Sequence, residues 1–436
     1  MDVLVVEGGK PLKGTVTISG AKNAALPLIC ASLLTSQPVV LDNTPRLSDV
    51  ETLLTLFEVL GASWAWSGPQ QLTLSAQNVP NRCAPYELVS KMRASVLVLG
   101  PLLARYGDAK VSLPGGCAIG ARPIDVLLEG LQALGADINL EGGYVHARVD
   151  GRLQGADIVL SKPAVTGTEN LMMAAALAQG RTRLIGAARE PEVTALADCL
   201  NAMGAKISGA GTDTITIDGV EELGGASVAV MPDRIEAGTF MMAAAMMGEG
   251  VMLHNAIPAH NQALMALLKK SGVDFAETAD SVFIAPRKPY KPVDVTTLPY
   301  PGFPTDLQAQ MMVYLCMAQG SSFIRETIYE NRFMHVPELN RMGAKLVIDD
   351  HTVRIPGHTS FKGATVMATD LRASASLVMA ALAAEGVTTI RRVYHLDRGY
   401  ERLELKLQAL GASIRREKDS TDLKTPHTSS KVAHAS

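Results

Sequence analysis

The chain has 436 residues, more than a single hydrophobic core usually serves, which predicts about two to three domains. Its formal net charge is −3 and it has no basic block that could follow a phosphate backbone, so nucleic acid is not expected as a partner. No apolar run reaches the roughly 18–20 residues that span a bilayer, and the first residues lack the signal-peptide layout, so we expect a cytoplasmic protein without membrane insertion.

The predicted elements begin with an apolar strand, VLVVEGG, which precedes the first helix. After it, an amphipathic helix that ends in glycine and leads into a strand recurs six times along the chain. A glycine directly after a helix suits the left-handed C-cap conformation. The six glycines are Gly61, Gly135, Gly204, Gly272, Gly343 and Gly411.

A second kind of helix, rich in Ala and Met, alternates with the amphipathic helices. NLMMAAALA and TFMMAAAMM are examples, and an apolar helix of this kind is typical of a position that is buried all round. A glycine and a strand follow these helices too, at Gly107, Gly180, Gly250, Gly320 and Gly386, whereas the first copy, ICASLLTSQPVVLDN, has no glycine. The sequence therefore predicts an α/β fold of six repeated units.

The six units divide three and three near residue 230, which predicts two lobes. The first lobe comprises 22–230 and includes the loop of Cys117; the second comprises 1–21 together with 231–417. In this arrangement the leading strand completes the last sheet of the second lobe, so the chain crosses between the lobes twice. Residues 418–436 are polar and lack periodicity, which predicts a disordered tail.

Charged and polar side chains gather at the N-terminal edges of the apolar helices. If these edges all lie on one side, their N–H groups and dipoles converge between the lobes and favour a multiply anionic ligand. For any single Asp, an N-cap role is the more common alternative, and a single Arg is usually a solvated or ion-paired surface residue. The residues at helix starts are Lys22, Asn23, Arg93, Lys162, Asp306, Asp370 and Arg372, and those in loops are Arg122, Asp125, Arg332 and Arg398.

One cysteine differs from the others in its surroundings. The five cysteines show neither CxxC nor Cys/His metal spacing, so we expect reduced thiols rather than a disulfide framework or a zinc site. Cys117 lies in the glycine-rich stretch SLPGGCAIGARPID, where Arg122 would supply positive charge that favours a reactive thiolate. The alternative is an incidental loop thiol.

Several stretches in order along the chain carry a resemblance to a known family. They are ISGAKNAALPL, SLPGGCAIGARPID, PDRIEAGTF, FPTDLQAQ, YENRFMHVPELNRMGA and ATDLRASASLV. Together they resemble the UDP-N-acetylglucosamine enolpyruvyl transferases, and the resemblance extends over 1–416. It implies a two-lobed inside-out α/β barrel with six α/β repeats, three per lobe. It also implies transfer of the enolpyruvyl group of phosphoenolpyruvate to the 3′-hydroxyl of UDP-N-acetylglucosamine, with release of phosphate. This reaction is the first committed step of peptidoglycan synthesis and needs no metal or organic cofactor.

The same resemblance implies catalytic roles for four residues. Cys117 would act as the general acid or form a covalent adduct with phosphoenolpyruvate, and Asp306 would be the base near the sugar hydroxyl. Lys22 and Arg398 would hold the phosphate and carboxylate of phosphoenolpyruvate, with Arg122 beside them. Addition of an alcohol across an enol ether independently requires one acid and one base, and fixed charges for the departing phosphate.

Further residues would bind the substrates. Arg93 and Lys162, with Arg122, would hold the diphosphate of the nucleotide sugar, and Arg332 and Arg372 would support the closed cleft. The remaining substrate-binding positions that the resemblance implies are Asn23, Pro123, Asp125, Val165, Ile328 and Asp370.

Two positions depart from the family pattern, away from the reacting groups. Leu127 stands where some relatives carry His, and Ala164 stands where some carry Ser, so a ring contact and a hydroxyl donor to the nucleotide are missing. Two alternatives remain for the function: the sister enzyme 3-phosphoshikimate 1-carboxyvinyltransferase, and a regulator that binds UDP-sugars without catalysis. The sequence does not predict an oligomeric state.

Overall fold

The computed structural model describes residues 2–113 and 124–419. Cys117, Arg122 and Pro123 lie outside the described residues, and so do 420–436 of the predicted tail. Within the described ranges, the α-helices are α1 Lys22–Ala31, α2 Ser48–Leu60, α3 Tyr86–Val89, α4 Leu99–Tyr106, α5 Asp125–Ala133, α6 Val165–Ala176, α7 Pro191–Ala202, α8 Arg234–Met247, α9 Gln262–Ser271, α10 Gln308–Cys316, α11 Val336–Arg341, α12 Leu371–Ala383 and α13 Leu403–Ala409.

Short 3₁₀ turns supplement these helices at Ser32–Leu34, Arg93–Val98, Pro258–Asn261, Thr305–Leu307 and Val393–Arg398. The strands are β1 Asp2–Glu7, β2 Leu12–Thr17, β3 Val39–Asp42, β4 Ser63–Trp66, β5 Leu72–Ser75, β6 Cys83–Ala84, β7 Asp108–Ser112, β8 Asp137–Glu141, β9 Tyr144–Arg148, β10 Asp157–Val159, β11 Arg181–Ile185, β12 Lys206–Ser208, β13 Thr214–Asp218, β14 Ala226–Ala229, β15 Gly248–His254, β16 Phe275–Glu277, β17 Ser281–Ile284, β18 Val295–Thr296, β19 Ser322–Arg325, β20 Val347–Asp349, β21 Thr352–Ile355, β22 Thr365–Met367, β23 Val387–Arg391 and β24 Ser413–Lys418.

The described strands form six four-stranded sheets that repeat one pattern. Each sheet has two parallel strands, followed by two strands that are each antiparallel to their neighbour. The strand orders are β14-β3-β5-β4, β6-β7-β9-β8, β10-β11-β13-β12, β2-β15-β17-β16, β18-β19-β21-β20 and β22-β23-β1-β24. The prediction of six repeated α/β units is thereby confirmed.

Three of the sheets are completed by strands from distant parts of the chain. β1 lies between β23 and β24, so the leading strand does complete the last sheet, as expected. β2 joins the fourth sheet beside β15, and β14 returns to the first sheet beside β3. The two chain crossings that this requires run side by side, because Gly20 and Pro232 form a β-bridge.

The glycines that mark the repeat adopt the conformation expected of them. All eleven have a positive φ, between 71° and 138°. At Gly61 a side chain is excluded for a second reason, because an added Cβ would lie 2.6 Å from Cδ of Pro80. The repeat visible in the sequence is therefore a repeat of helix ends that turn through the left-handed region.

Two hydrophobic cores lie within the described residues. The first draws its buried side chains from 21–230, which we call the first-core region, and the second from 4–18 and 235–414. We call 2–18 and 235–419 the second-core region. In it the apolar helices α8, α10 and α12 pack on one another, and every residue of α8 is buried, as the Ala/Met pattern predicts. The two cores support the proposed division into lobes of 22–230 and of 1–21 with 231–417.

The end of the described chain corrects one predicted boundary. β24 includes Lys418, whose Nζ lies 2.6 Å from an oxygen of Asp2, the residue opposite it on the neighbouring strand β1. Asp419 lies 3.3 Å from the guanidinium of Arg391. Lys418, which we expected to begin the tail, therefore belongs to β24, because pairing with β1 carries the strand one residue beyond the predicted end of the second lobe at 417. No helix within the described ranges is long and apolar enough to cross a membrane.

The apolar helices differ in how their N-termini are closed. Asp233 caps α8 and Asp370 caps α12, each accepting hydrogen bonds from two backbone N–H groups. The residues before α1, α6 and α10, by contrast, make no side-chain cap bond among the described residues; Ala164, before α6, has no oxygen to offer. At α10 the N–H of Gln308 donates to the carbonyl of Thr305, so the first N–H groups of α1 and α6 are the ones left for other partners.

The cap of α12 leads to a prediction on stability. Asp370→Ala removes the oxygen that accepts from the N–H groups of Arg372 and Ala373, at 2.8 and 3.0 Å. Loss of an N-cap costs about 0.5–2 kcal/mol, and a unit of 150–250 residues loses about 2–4 °C per kcal/mol, so we expect the midpoint of thermal unfolding to fall by about 1–8 °C. Asp370→Asn keeps an accepting oxygen and should unfold near the wild-type temperature. Equal destabilisation in the two variants, followed by circular dichroism, would contradict a capping role.

Candidate active site

The predicted site residues lie mainly at helix starts, as expected. Lys22 and Asn23 open α1, Arg93 opens the 3₁₀ turn Arg93–Val98, and Val165 opens α6. Asp306 lies in the 3₁₀ turn Thr305–Leu307 that leads into α10. The charges of Asp306, Arg372 and Arg398 all act on Lys22, although these four residues come from four separate elements. The structure therefore brings the N-terminal end of α1 close to those of α10 and α12.

Asp306 holds two arginines. Its Oδ1 accepts from Nη2 of Arg332 at 2.8 Å, and its Oδ2 accepts from Nη2 and Nε of Arg372 at 2.8 and 3.2 Å. Both guanidinium groups are buried, with side chains 8% and 5% exposed. Buried charges of this kind require a partner, since an unpaired one is expensive to remove from water. The three side chains therefore form a preorganised set with a net positive charge.

The pKa of Asp306 is set by two opposing effects. Burial raises the pKa of the carboxyl, but the charges and hydrogen bonds of Arg372 and Arg332 outweigh burial and hold it well below the usual range. Asp306 is therefore ionised at neutral pH. A carboxylate with so low a pKa is a weak base. The proposed role as base thus depends on what happens to the two guanidinium groups when substrate binds.

Glu326 supports the loop that carries Arg332 and Ile328, and the sequence did not point to it. It lies directly after β19 and is 1% exposed. Its Oε2 accepts from the hydroxyl of Thr305, beside Asp306, and its Oε1 accepts from the N–H of Ile328. Arg332 in turn donates to the same Thr305 hydroxyl at 2.9 Å. One buried carboxylate thus fixes the loop and the Asp306 turn relative to each other.

Asp49 is the second residue that the sequence analysis missed. It lies in the first turn of α2 and is 4% exposed. Its Oδ2 accepts from Nζ of Lys22 at 3.2 Å, and its Oδ1 accepts from Nε of Arg398 at 2.8 Å. Acids are common in first helical turns for electrostatic reasons alone, so the sequence carries no signal that distinguishes Asp49 from Glu51. Only the fold reveals that two predicted site cations share it.

The hydrogen bonds of Asp370 give it a structural role that requires no part in catalysis. Its Oδ1 caps α12, and this agrees with the N-cap alternative stated for a single Asp. His335 lies nearby, and burial lowers its pKa to about 4 despite the neighbouring Asp370 carboxyl. The imidazole is therefore neutral at pH 7 and adds no charge to the site.

The remaining predicted residues of the first-core region lie apart from these contacts. Asp125, at the start of α5, and Lys162, ahead of α6, are exposed, and Leu127 is buried in α5. Asn23, Arg93 and Val165 are half-buried at the helix starts named above. Within 2–113 and 124–419, no cluster of His, Cys, Asp and Glu is placed to hold a metal ion.

The arrangement suits a multiply anionic ligand. Two helix starts, those of α1 and α6, have no side-chain cap for their N–H groups, and four buried or half-buried cations share two carboxylates. Nη1 of Arg372 is buried and has no hydrogen-bond partner among the described residues. A buried donor without a partner is costly, and an anionic ligand oxygen would satisfy it.

Comparisons with known proteins identify the family. A family model described as EPSP synthase (3-phosphoshikimate 1-carboxyvinyltransferase) matches residues 6–407. Two curated relatives are named UDP-N-acetylglucosamine 1-carboxyvinyltransferase. The one from Dichelobacter nodosus is 54% identical, and the one from Sorangium cellulosum is 56% identical; each match covers 95% of this chain and 99% of the relative.

Solved structures agree with this result. The enolpyruvyl transferase NikO from Streptomyces tendae is 30% identical, with a TM-score of 0.85 over 95% of this chain and 98% of that one. EPSP synthase from Acinetobacter baumannii, at 19% identity, shares the fold with a TM-score of 0.75 over 96% of this chain and 100% of that one. The chain therefore belongs to the enolpyruvyl transferase family that includes EPSP synthase and UDP-N-acetylglucosamine 1-carboxyvinyltransferase, and it has the enolpyruvyl transferase fold.

Proposed function

We propose that the protein transfers the enolpyruvyl group of phosphoenolpyruvate to the 3′-hydroxyl of UDP-N-acetylglucosamine and releases inorganic phosphate. The observation that carries this proposal is the 54–56% identity, over nearly the whole chain, to two relatives named for this reaction. The product would serve peptidoglycan precursor synthesis. We place the reaction in the cytoplasm, because phosphoenolpyruvate and nucleotide sugars are metabolites of that compartment.

The reaction proceeds by addition and elimination. The 3′-oxygen adds to C2 of phosphoenolpyruvate and loses its proton to a base, while C3 receives a proton from an acid. Loss of the C3 proton and of phosphate from C2 then restores the double bond. We assign the base to Asp306 and the acid, or a covalent adduct at C2, to Cys117. The assignment of Cys117 rests on its sequence motif, since it lies outside the described residues.

The cations divide between the two substrates. Lys22 and Arg398, with Arg122, bind the phosphate and carboxylate of phosphoenolpyruvate; Arg93 and Lys162 bind the diphosphate of the sugar nucleotide. The contacts of Lys22 and Arg398 support their assignment to phosphoenolpyruvate, because both cations donate to one carboxylate, that of Asp49, and so face a single anionic group. Arg332 and Arg372 act on the reaction through Asp306, whose position they determine. Asn23, Pro123, Asp125, Val165, Ile328 and Asp370 complete the proposed substrate contacts.

The family model carries the name of the shikimate enzyme, so the acceptor is the decisive test. We expect purified protein to release phosphate from phosphoenolpyruvate when UDP-N-acetylglucosamine is offered and not when shikimate 3-phosphate is offered. Cys117→Ser should lower the rate about 10²–10⁴-fold, the usual contribution of a general acid. Cys83→Ser, at a half-buried thiol in β6, is the matched control and should retain the wild-type rate.

Each other result of this assay has a definite meaning. Release with shikimate 3-phosphate would keep the fold and contradict the proposed acceptor. Release with neither acceptor would contradict catalysis and favour the regulator that binds UDP-sugars.

A second prediction concerns the thiol itself. An epoxide mimic of phosphoenolpyruvate, such as fosfomycin, should alkylate Cys117 once UDP-N-acetylglucosamine is bound. The three buried thiols of the described residues are poor competitors, because burial raises the pKa of Cys199 and Cys316 to about 12 and raises that of Cys30 as well. Mass spectrometry of peptides should place a single adduct on the segment 112–122. An unmodified segment after prolonged incubation would be inconsistent with the proposed thiol chemistry.

A further inference from the structure

Asp49 joins two cations that come from different parts of the fold. Lys22 belongs to the first-core region and Arg398 to the second, 349 positions from Asp49 along the chain. We propose that Asp49 is a positioning residue that holds Lys22 and Arg398 in the geometry that binds phosphoenolpyruvate; this inference rests on the proposed function. In this role Asp49 acts on the substrate through Lys22 and Arg398 and makes no contact with it.

Lys22 needs such a partner because its surroundings oppose its charge. It lies in the first turn of α1, where the helix dipole disfavours a cation, and its side chain is only 12% exposed. Burial lowers the pKa of Lys22, the Asp49 carboxylate counteracts that effect, and the positive charges of Arg372 and Arg398 lower the pKa further. Asp306 is the other anion that acts on Lys22. Asp49 is thus the main group that keeps the ammonium protonated.

Asp49 is well placed for this task. It lies in the first turn of α2, where free N–H groups favour a carboxylate. Burial raises its pKa, but Lys22 and Arg398 outweigh burial and the pKa of Asp49 is lowered. The carboxylate is therefore ionised at neutral pH and ready to accept from both cations. The 3₁₀ turn Val393–Arg398 packs on α2, which brings the guanidinium of Arg398 within reach.

The number of charges also fits a phosphate-binding role. Two cations share one carboxylate, so the set keeps a net positive charge for an incoming anion. Phosphoenolpyruvate carries both a phosphate and a carboxylate, and such groups are bound through positioned cations. A second carboxylate in this set would cancel the net positive charge. A set with no carboxylate would leave Lys22 without a partner. A single shared Asp satisfies both requirements.

The test is a pH profile of phosphate release from phosphoenolpyruvate with UDP-N-acetylglucosamine, for the wild type, Asp49→Asn and Asp49→Glu. In Asp49→Asn, we expect kcat/KM for phosphoenolpyruvate to fall about 10- to 100-fold, the effect of losing a hydrogen bond to a charged group. The alkaline limb of the profile should move to lower pH, because Lys22 loses the anion that raises its pKa. KM for UDP-N-acetylglucosamine should change much less. Asp49→Glu keeps the charge and should restore the wild-type alkaline limb.

The matched control is Glu236→Gln, which breaks a similar buried pair elsewhere. Glu236 is 2% exposed and accepts from Nζ of Lys406 at 2.7 Å, so its loss tests general destabilisation. We expect it to lower the unfolding temperature without moving the alkaline limb. If Asp49→Asn does not fold, Asp49→Glu carries the test alone: a raised KM for phosphoenolpyruvate with an unchanged alkaline limb supports the inference, and a wild-type KM overturns it.

The inference and the proposed function fail in different ways. A wild type that turns over, together with an Asp49→Asn variant that keeps its kcat/KM and its alkaline limb, would overturn the role of Asp49 alone. An increase of kcat/KM in Asp49→Asn would also overturn it, because Asp49 would then compete with phosphoenolpyruvate instead of positioning its ligands. A wild type that releases no phosphate would overturn the proposed function first.

Discussion

The cleft depends on the pairing of buried cations with a small number of carboxylates. Asp306 and Asp49 each accept from two cations, and three of those four cations have side chains at most 12% exposed. Removal of one partner from a buried ion pair typically costs about 3–5 kcal/mol, because the other charge is left unpaired. Two of the cations, Lys22 and Arg372, also lie in the first turns of α1 and α12, whose dipoles disfavour a cation. Without the two carboxylates, these side chains would lose the partners that fix their positions, and the ammonium of Lys22 would lose its main stabilising charge.

The two carboxylates differ in what they connect. Arg332 and Arg372 both come from the second-core region, so the Asp306 set is complete within one half of the fold. Asp49 instead joins Lys22 of the first-core region to Arg398 of the second. Arg234, which opens α8 directly before the second-core region, also pairs with Glu192 of the first-core region at 2.9 Å, so a second buried ion pair reinforces this boundary. Any relative movement of the two regions would therefore alter the proposed phosphoenolpyruvate cations and leave the Asp306 set intact.

The repeated units could be predicted because their signals are local. A glycine with positive φ ends each amphipathic helix, and the Ala/Met helices identify themselves by composition, so the number and order of units follow from the sequence. The leading strand could be assigned to the last sheet because the repeat lacks one strand there. Asp306 and Arg372 were found because both lie at starts of apolar helices. Their pairing with each other, 66 positions apart, was not predicted.

Asp49 and Glu326 could not be found in the same way, because their roles depend on tertiary contacts. Asp49 has the sequence context of an ordinary acid in a first helical turn, and its contact to Arg398 is set by the packing of α2 on the turn Val393–Arg398. Glu326 follows a strand, where a charged residue usually faces solvent. It is buried because its carboxylate accepts hydrogen bonds from the N–H of Ile328 and from the hydroxyl of Thr305. A single sequence contains the residue types but not these distances.

The low pKa of Asp306 has a consequence for how acid and base chemistry are coupled to binding. While Arg332 and Arg372 donate to it, Asp306 is ionised but weakly basic. A substrate anion that shares the charge of either guanidinium weakens that effect, and the pKa of the carboxyl rises toward the range useful for proton transfer. Nη1 of Arg372, buried without a partner among the described residues, is a donor that would supply such an anion with a hydrogen bond. The base would then gain strength only when the substrate is in place, which links proton removal from the acceptor hydroxyl to occupancy of the cleft.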